Sequence, residues 1–401
     1  MTLFLGILLA LFVFFVVVFI HEMGHFLVAR WSGVKILEFG IGIPPRLKKL
    51  FRDKNWTDWT INWLPIGGFV RLKWEDSTSL ESKQKDALPM AKWWKQVLIL
   101  LAGVTMNFIL SGIIFAGLFF AGTSPIHVQI RELEPYSLLS QIKTWTQLIP
   151  IFDTLEQAES AGILRRLPGV SIAPIADSIA QKAGVLPGDV IVSIDGQAVV
   201  RPDDVLRILW TKKDFYTLQI LRNKSTSLEI QITPLAGKIG VYVTPHIELI
   251  KYRYPLLESL YHGIVEVLHQ VLFSLRTFGA ILITNFSDTA TQAEKTEAKN
   301  GIWWPVAIGK VFVGMVENGI DLRLILIMIA MISLSLWVFN LIPFPALDGG
   351  RCLLVLVNQG IHIIAPKFKI SPRIERIIHS TGFILLIIAS ILVTWKDIFS
   401  K

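Results

Sequence analysis

The feature that most constrains the fold is a run of eighteen residues near the start of the chain, residues 3–20, which contains no charged or hydrogen-bonding side chain. A run of this length can cross the hydrocarbon core of a bilayer as one helix. The helical pattern continues to Arg30. The run lacks the basic start and the small-residue cleavage site of a secretory signal peptide, so we interpret it as a retained membrane span.

Three further apolar stretches have about the length of a membrane span, at residues 97–121, 324–342 and about 377–394. Charged residues make up only 17% of the chain, against about 25% in soluble domains. The sequence therefore predicts a polytopic α-helical membrane protein with four transmembrane helices, in contact with the lipid bilayer.

The net charge of +8 is distributed in the way that membrane topology requires, which argues against nucleic acid as a partner. Loops on the cytoplasmic side of a membrane are enriched in Lys and Arg. Residues 30–95 contain 13 basic and 7 acidic residues, and residues 343–376 contain 5 basic and 2 acidic residues. With four spans, these two segments lie on the same side. We therefore expect these two segments on the cytoplasmic side, with both termini and the long middle segment outside.

Two regions between the spans are predicted to contain β-structure. Residues 36–45 and 59–72 are β-branched or aromatic with Gly and Pro punctuation, which favours strands and turns. Their apolarity suggests a re-entrant β region at the membrane edge, with an ordinary surface hairpin as the alternative. Residues 166–248 contain alternating strands, a short helix and a hairpin turn at Asp195-Gly196, which indicates a small β-rich domain inserted outside the membrane.

The helical pattern at residues 256–286 has mixed polarity and predicts an amphipathic helix on the outer surface of the membrane. The chain then divides as follows: the first two spans with the β region (1–121), an extracytoplasmic linker (122–165), the β-rich domain (166–248), the surface helix with a connector (249–321), and the last two spans (322–401).

The motif that bears chemistry is HEMGH, residues 21–25, at the end of the first span. Positions four apart lie on one face of a helix, so His21 and His25 can bind one metal ion. Glu22 points about 100° away around the helix, where it can act as a general base toward water. Ionisable groups in a membrane helix are functional by default; the alternative is a pair of structural histidines at the interface.

A catalytic zinc site usually has three protein ligands and a water, so a third ligand is expected. The sequence NLIPFPALDGG, residues 340–350, ends the third span on the side predicted for His21. Its prolines stop the helix and its glycine pair allows the backbone to approach closely. Asp348 is therefore the predicted third ligand, and its alternative role is to cap the helix that follows.

Together, HEMGH and NLIPFPALDGG resemble the site-2 protease family of intramembrane zinc metalloproteases, in particular the bacterial regulator-of-sigma-E type. Residues 64–70 resemble the family's glycine-pair strand, and residues 103–107 resemble its G-x-x-x-N motif. Residues 183–196 look like the signature of a PDZ domain, and residues 304–308 resemble the family's G-P-V-x-I segment.

The resemblance implies one Zn2+ per chain, held by His21, His25 and Asp348, with Glu22 as the general base. It also implies a set of substrate-binding residues: Asn340, Asn107, Gly67, Gly68 and Phe69. Asn107 is equally consistent with an interhelical hydrogen bond. The chain departs from the family pattern at Arg351, where many relatives have His, at Trp304, where the pattern has Gly, and in having room for one PDZ domain.

The implied function is hydrolysis of peptide bonds in or near the transmembrane segments of single-span membrane proteins, for example anti-sigma factors or remnant signal peptides. The expected protein is a monomer in the bacterial inner membrane, with a PDZ-like domain that contacts or excludes substrates. One alternative is a non-catalytic PDZ-bearing membrane adaptor, which has no reason to keep all four site residues. Another is a metal or ion transporter, for which an inverted repeat is missing.

Overall fold

The computed structural model describes residues 1–73, 85–126, 128–133, 146–211, 213–223, 226–235, 238–251, 253–286, 305–317, 319–365 and 372–399. They form two compact units. The membrane unit comprises Met1–Thr123, Glu134–Ile151 and Tyr252–Lys401, and the β unit comprises Ser124–Leu133 and Phe152–Lys251.

The membrane unit is built mainly from helices. They are α1 (Thr2–Ser32), α2 (Trp93–Ala121), α6 (Leu256–Phe286), α7 (Pro305–Glu317), α8 (Leu322–Leu341), α9 (Asp348–Ile364) and α10 (Pro372–Phe399). Among the described residues, α1, α2 and α8 are long and apolar enough to cross a membrane. They coincide with the first three predicted spans. The fourth predicted span falls in α10, whose apolar stretch Ile377–Leu392 is shorter, so a count of four stays a prediction.

The helices α1 and α2 cross in close contact because both carry glycine where they meet. A Cβ atom on Gly24 would collide with the carbonyl group of Ala102. The helix α1 ends at Gly33, which adopts φ 80°, a left-handed conformation suited to glycine. This crossing brings the HEMGH motif of α1 directly against α2.

The predicted β region between α1 and α2 is confirmed as β-structure. Strands β1 (Ile36–Arg52) and β2 (Asp58–Leu72) are each bent back on themselves. As a result, Phe39 of β1 pairs with Trp59 in the first half of β2 and with Val70 in its second half. Residues 36–41 lie between residues 58–62 and 68–72, and residues 46–52 pair with the far edge of 58–62. The ring of Phe39 packs on Phe26 of α1 at 5.3 Å between centroids, which attaches the sheet to the first span. Its depth in the membrane stays a prediction.

The β unit contains the predicted β-rich domain. Its sheet has the order β10-β5-β6-β8-β9, with β7 pairing to β6. The strands are β5 (Leu164–Pro174), β6 (Asp189–Ile194), β7 (Gln197–Ala198), β8 (Tyr216–Arg222), β9 (Thr226–Ile232) and β10 (Val241–Leu249); the short helices are α3 (Leu155–Ser160), α4 (Ile179–Lys182) and α5 (Pro202–Leu209). A separate pair, β3 (Gln129–Ile130) and β4 (Ile151–Phe152), completes the strands. At the predicted hairpin turn, Asp195 and Gly196 both have positive φ. The assignment to the PDZ class stays a prediction.

The helix α6 occupies the predicted residues, but several of its polar side chains lie inside the protein. Its polar residues Ser259, Glu266 and Gln270 are buried, whereas Leu257 and Ile264 are exposed. The Glu266 carboxylate accepts hydrogen bonds from the backbone N–H groups of residues 147 and 148. Glu258 and Arg276 of the same helix are exposed, and its placement on the outer surface of the membrane stays a prediction. The predicted connector at residues 288–300 and Trp304 lie outside the described residues.

Candidate metal centre

The two histidines of the HEMGH motif face one point. They lie one turn apart on α1, and their Nε2 atoms are 3.2 Å apart. The Oδ2 atom of Asp348 lies 3.0 Å from Nε2 of His21 and 3.3 Å from Nε2 of His25. The structure thus brings together the three residues that sequence analysis selected as metal ligands, although 327 positions separate His21 from Asp348.

The separations between these donor atoms suit a zinc ion. In a tetrahedral site with bonds of 2.0–2.1 Å, neighbouring donors lie about 3.3 Å apart. The three measured separations are 3.0, 3.2 and 3.3 Å. Two imidazoles and one carboxylate also form a donor set typical of catalytic zinc, since they leave a fourth position open. The residues present therefore fit the metal.

Asp348 reaches the histidines because of the turn between α8 and α9. A Cβ atom on Gly349 would lie 2.5 Å from the carbonyl oxygen of Ile342, and one on Gly350 would collide with the carbonyl of Phe344. The glycine pair is thus required by the tightness of the turn. Asp348 itself is the first residue of α9, and the N-cap position before it is occupied by Leu347. The alternative role as a helix cap is therefore not supported.

The far side of each imidazole contacts α2. The Nδ1 atom of His25 lies 2.7 Å from the carbonyl oxygen of Ile99, and Nδ1 of His21 lies 3.1 Å from the side-chain amide of Asn107. The Asn107 side chain is fully buried. It lies behind a metal ligand, and its predicted contact with a substrate stays a prediction. The interhelical hydrogen bond considered from the sequence is the arrangement that the structure contains.

Glu22 lies beside the donor atoms, not among them. Its Oε2 atom accepts a hydrogen bond of 3.0 Å from the backbone N–H of Val70. The Cβ position of Gly68 lies 3.9 Å from Cγ of Glu22, and that of Gly67 lies 3.1 Å from Val18 of α1. The predicted glycine-pair strand therefore runs along α1 at the level of the HEMGH motif. The ring of Phe69 packs across Gly40 of the neighbouring segment.

Asn340 lies at the C-terminal end of α8 and is buried. Its carbonyl oxygen is 2.8 Å from the Cβ position of Gly349, so it belongs to the same turn as Asp348. Contact between its side chain and a substrate stays a prediction.

Sequence analysis missed two residues that support the site. Gly103 of α2 lies against both imidazoles, and a Cβ atom there would be 2.8 Å from Cε1 of His21. His379 of α10 accepts a hydrogen bond of 3.3 Å at Nδ1 from the backbone N–H of Ala346, which adopts the left-handed φ of 84° within the Asp348 turn. The G-x-x-x-N resemblance pointed to Gly103 without a role. No linear signal identifies His379, because its partner is a backbone amide 33 positions away.

Comparison with known proteins shows similarity along almost the whole chain. A family model described as peptidase family M50 matches residues 9–389. A protein of Clostridium perfringens named as a zinc metalloprotease is 28% identical over 397 residues, which is 98% of each protein. A second protein with that name, from Rhizobium meliloti, is 25% identical and covers 97% of this chain and 95% of its own. A protein of Arabidopsis thaliana named as a chloroplastic membrane metalloprotease is 27% identical over 95% of this chain and 77% of its own.

Proposed function

This chain belongs to peptidase family M50, the site-2 protease family of membrane zinc metalloproteases, and on that premise we propose that it hydrolyses peptide bonds in or beside the transmembrane segments of single-span membrane proteins. The observation that carries the proposal is the geometry around HEMGH. Two of the three zinc-type donor atoms and the separate glutamate lie on α1, which is long and apolar enough to span a membrane, and the third donor, Asp348, follows the turn after α8, another such helix.

The proposed roles follow from the positions of the side chains. His21, His25 and Asp348 would hold the zinc ion, which when bound polarises a carbonyl group and lowers the pKa of a water molecule. Glu22 takes the proton from the attacking water and returns it to the leaving amine. The hydrogen bond from the Val70 N–H fixes one oxygen of the Glu22 carboxylate and leaves the other for proton transfer.

A transmembrane helix is a poor substrate until it unwinds, because its amide groups are engaged in i→i−4 hydrogen bonds. In the proposal, residues 68–72 bind the unwound segment by strand addition. The support is that this segment pairs with residues 36–41 on one edge, while its other edge pairs with no strand in the described part of the chain and lies beside Glu22. Asn340 would stabilise the oxyanion of the transition state from the end of α8.

Anti-sigma factors and remnant signal peptides are the substrate classes proposed. The β unit would act as a single PDZ-like domain that contacts substrates or excludes those with bulky outer domains. We place the protein as a monomer in the bacterial inner membrane, with the β unit and both termini outside and the metal centre near the cytoplasmic side. The charge distribution of residues 30–95 and 343–376 supports this orientation.

The proposal is tested by metal content and by cleavage of a model single-span substrate in detergent, comparing the parent protein with Glu22→Gln. We expect both proteins to hold about one zinc ion, since Glu22 contributes none of the three donor atoms. Only the parent should cut, because an amide cannot accept the proton from water, and kcat should fall by about 10²-fold or more. Cleavage by Glu22→Gln at the parent rate would contradict the assignment of the base, and a parent protein without zinc would contradict the metal centre.

A further inference from the structure

The side chain of Asn107 is buried, and only one of its two polar atoms has a hydrogen-bond partner among the described residues. It lies on α2, one turn beyond Gly103, and has no exposed surface. Its Nδ2 atom is 3.1 Å from Nδ1 of His21. Its Oδ1 atom is buried and has no hydrogen-bond partner among the described residues. Burial of an amide oxygen without a partner is costly, so the arrangement calls for an explanation.

The protonation of His21 decides which of the two amide atoms of Asn107 must face its ring. The Nε2 atom of His21 faces the Oδ2 atom of Asp348 and the other ring, and it can bind a metal ion only without a proton. A neutral imidazole then carries its proton on Nδ1, which becomes a donor and requires an acceptor. Rotation of the Asn107 amide by 180° places Oδ1 there in place of Nδ2. The two amide orientations have nearly the same shape, so hydrogen bonding decides between them.

The second histidine follows the same rule. The Nδ1 atom of His25 lies 2.7 Å from the carbonyl oxygen of Ile99, which is an acceptor in any orientation. The helix α2 therefore offers an acceptor to the back of each imidazole, a backbone oxygen for His25 and a side-chain oxygen for His21.

The backbone of Asn107 is held in place from two helices. Its carbonyl oxygen lies 3.0 Å from the hydroxyl of Ser111 on α2 and 3.1 Å from the hydroxyl of Ser333 on α8. The Ser111 hydroxyl also lies 2.9 Å from the carbonyl oxygen of Ala330. With its backbone tied to both helices and its side chain buried, Asn107 has little freedom to leave His21.

We propose that Asn107 is a positioning residue, which accepts a hydrogen bond from Nδ1–H of His21 at Oδ1 and so holds the tautomer that presents Nε2 to the metal. This inference rests on the metal centre proposed above. It makes Asn107 part of the zinc site without contact with the zinc or the substrate.

The test compares Asn107→Asp with Asn107→Leu in the full-length protein purified in detergent. Aspartate keeps an acceptor toward His21 and removes the amide donor, whereas leucine has a similar size and neither group. We expect zinc affinity, measured by competition with a chelator, to fall by about 10- to 100-fold in Asn107→Leu and to stay within a few-fold of the parent in Asn107→Asp. Thr105→Val is the matched control, because its exposed hydroxyl donates a hydrogen bond to the carbonyl oxygen of Leu101 on the same helix and lies away from the buried face that carries Asn107.

Two further measurements keep the result interpretable. The unfolding temperature of the metal-free variants is compared with that of the metal-free parent. A variant that binds zinc weakly but unfolds at the parent temperature has lost the tautomer of His21 and not its fold. Spectra of the zinc-loaded parent with 15N-labelled histidine should show a protonated Nδ1 on His21. Equal losses in Asn107→Asp and Asn107→Leu, or an unchanged affinity in Asn107→Leu, would overturn the inference while leaving the metal centre intact. Absence of zinc from the parent would instead overturn the proposed metal centre.

Discussion

The metal centre depends on Gly103, although this residue has no side chain that could bind a metal. Its Cα atom lies so close to the HEMGH motif that a Cβ atom would collide with Nε2 of His25 and lie 2.8 Å from Nε2 of His21. Both atoms are proposed zinc ligands. A methyl group here has no room unless the histidines or the two helices move apart, and close-packed interiors resist such movement.

We therefore expect Gly103→Ala to lower zinc affinity by more than 10-fold and to lower proteolytic activity in parallel. Gly117→Ala is the control, because that glycine lies on the same helix with nothing within 4 Å of its Cβ position. Alanine improves intrinsic helix stability by about 1 kcal/mol at both positions. The difference in zinc affinity between Gly103→Ala and Gly117→Ala therefore measures the effect of the collision. Full zinc binding by Gly103→Ala would mean that the two helices stand further apart.

The chemistry of the residues was predictable because their spacing is local. His21 and His25 lie one turn apart in any helix, and the prolines and glycines around Asp348 predict a tight turn. The contacts of the supporting residues were only partly predictable: the sequence assigned Gly103 no role and left Asn107 open between an interhelical hydrogen bond and substrate binding. Gly103, Asn107 and His379 act through contacts with other helices or with a distant backbone amide, which depend on how the helices cross. Spacing along one helix contains no information about that crossing.

At the scale of elements, the edge formed by residues 68–72 is the surface that links the sheet to the catalytic base. The N–H of Val70 points to Glu22 instead of to the neighbouring segment 36–41. Proline is tolerated on the free edge of a sheet, where its missing N–H breaks no ladder bond. Val70→Pro therefore removes the hydrogen bond to Glu22 and breaks no bond within the sheet.

We expect Val70→Pro to lower kcat/KM by about 10- to 100-fold, the effect of losing a hydrogen bond to a charged group of about 1.5–3 kcal/mol. Zinc content should be unchanged, because the three ligand donors are not touched. Val70→Ala, which keeps the N–H and loses only two methyl groups, should cut at close to the parent rate. A Val70→Ala protein as slow as Val70→Pro would instead assign the loss to side-chain packing.

The elements also show where periodicity is informative and where it is ambiguous. Alternation with Gly and Pro correctly predicted β-structure at residues 36–45 and 59–72, but it did not show that each strand folds back on itself. Helical periodicity correctly predicted α6, and two faces can be read from it. It did not show which face is buried, because in a membrane protein the apolar face can point outward while Glu266 and Gln270 lie inside.

At the scale of the whole molecule, the two units were predicted from residue composition and periodicity alone. Long uncharged runs predict helices in a bilayer, and short alternating strands with turn residues predict a separate β domain. The orientation in the membrane rests on the count of Lys and Arg, and it stays a prediction. The β unit can be examined independently of that orientation, because an ion pair lies within its own sheet.

Asp189 and Arg222 join neighbouring strands β6 and β8 of the β unit. Two guanidinium nitrogens of Arg222 lie 2.8 Å from the two carboxylate oxygens of Asp189, whose side chain is buried. Burial alone would raise the pKa of Asp189, but hydrogen bonds from Arg222 and from the backbone N–H of Leu186 outweigh it and hold the pKa below its usual value. The folded state therefore binds this proton less readily than the unfolded chain.

The sign of the pH dependence follows from that depressed pKa. The stabilisation is fully present above the ordinary carboxyl pKa of about 3.9 and is lost as the pH falls through the folded-state value. Amide hydrogen exchange in β6 and β8 of the full-length protein, corrected for intrinsic rates, should show the β unit losing stability as the pH falls below about 4. Asp189→Asn should be less stable than the parent at pH 7, because it loses the charge-assisted hydrogen bonds from Arg222, and its pH profile should be flatter. A variant that loses stability in parallel with the parent would show that another carboxyl group, such as Asp195 beside Lys213, controls the acid response.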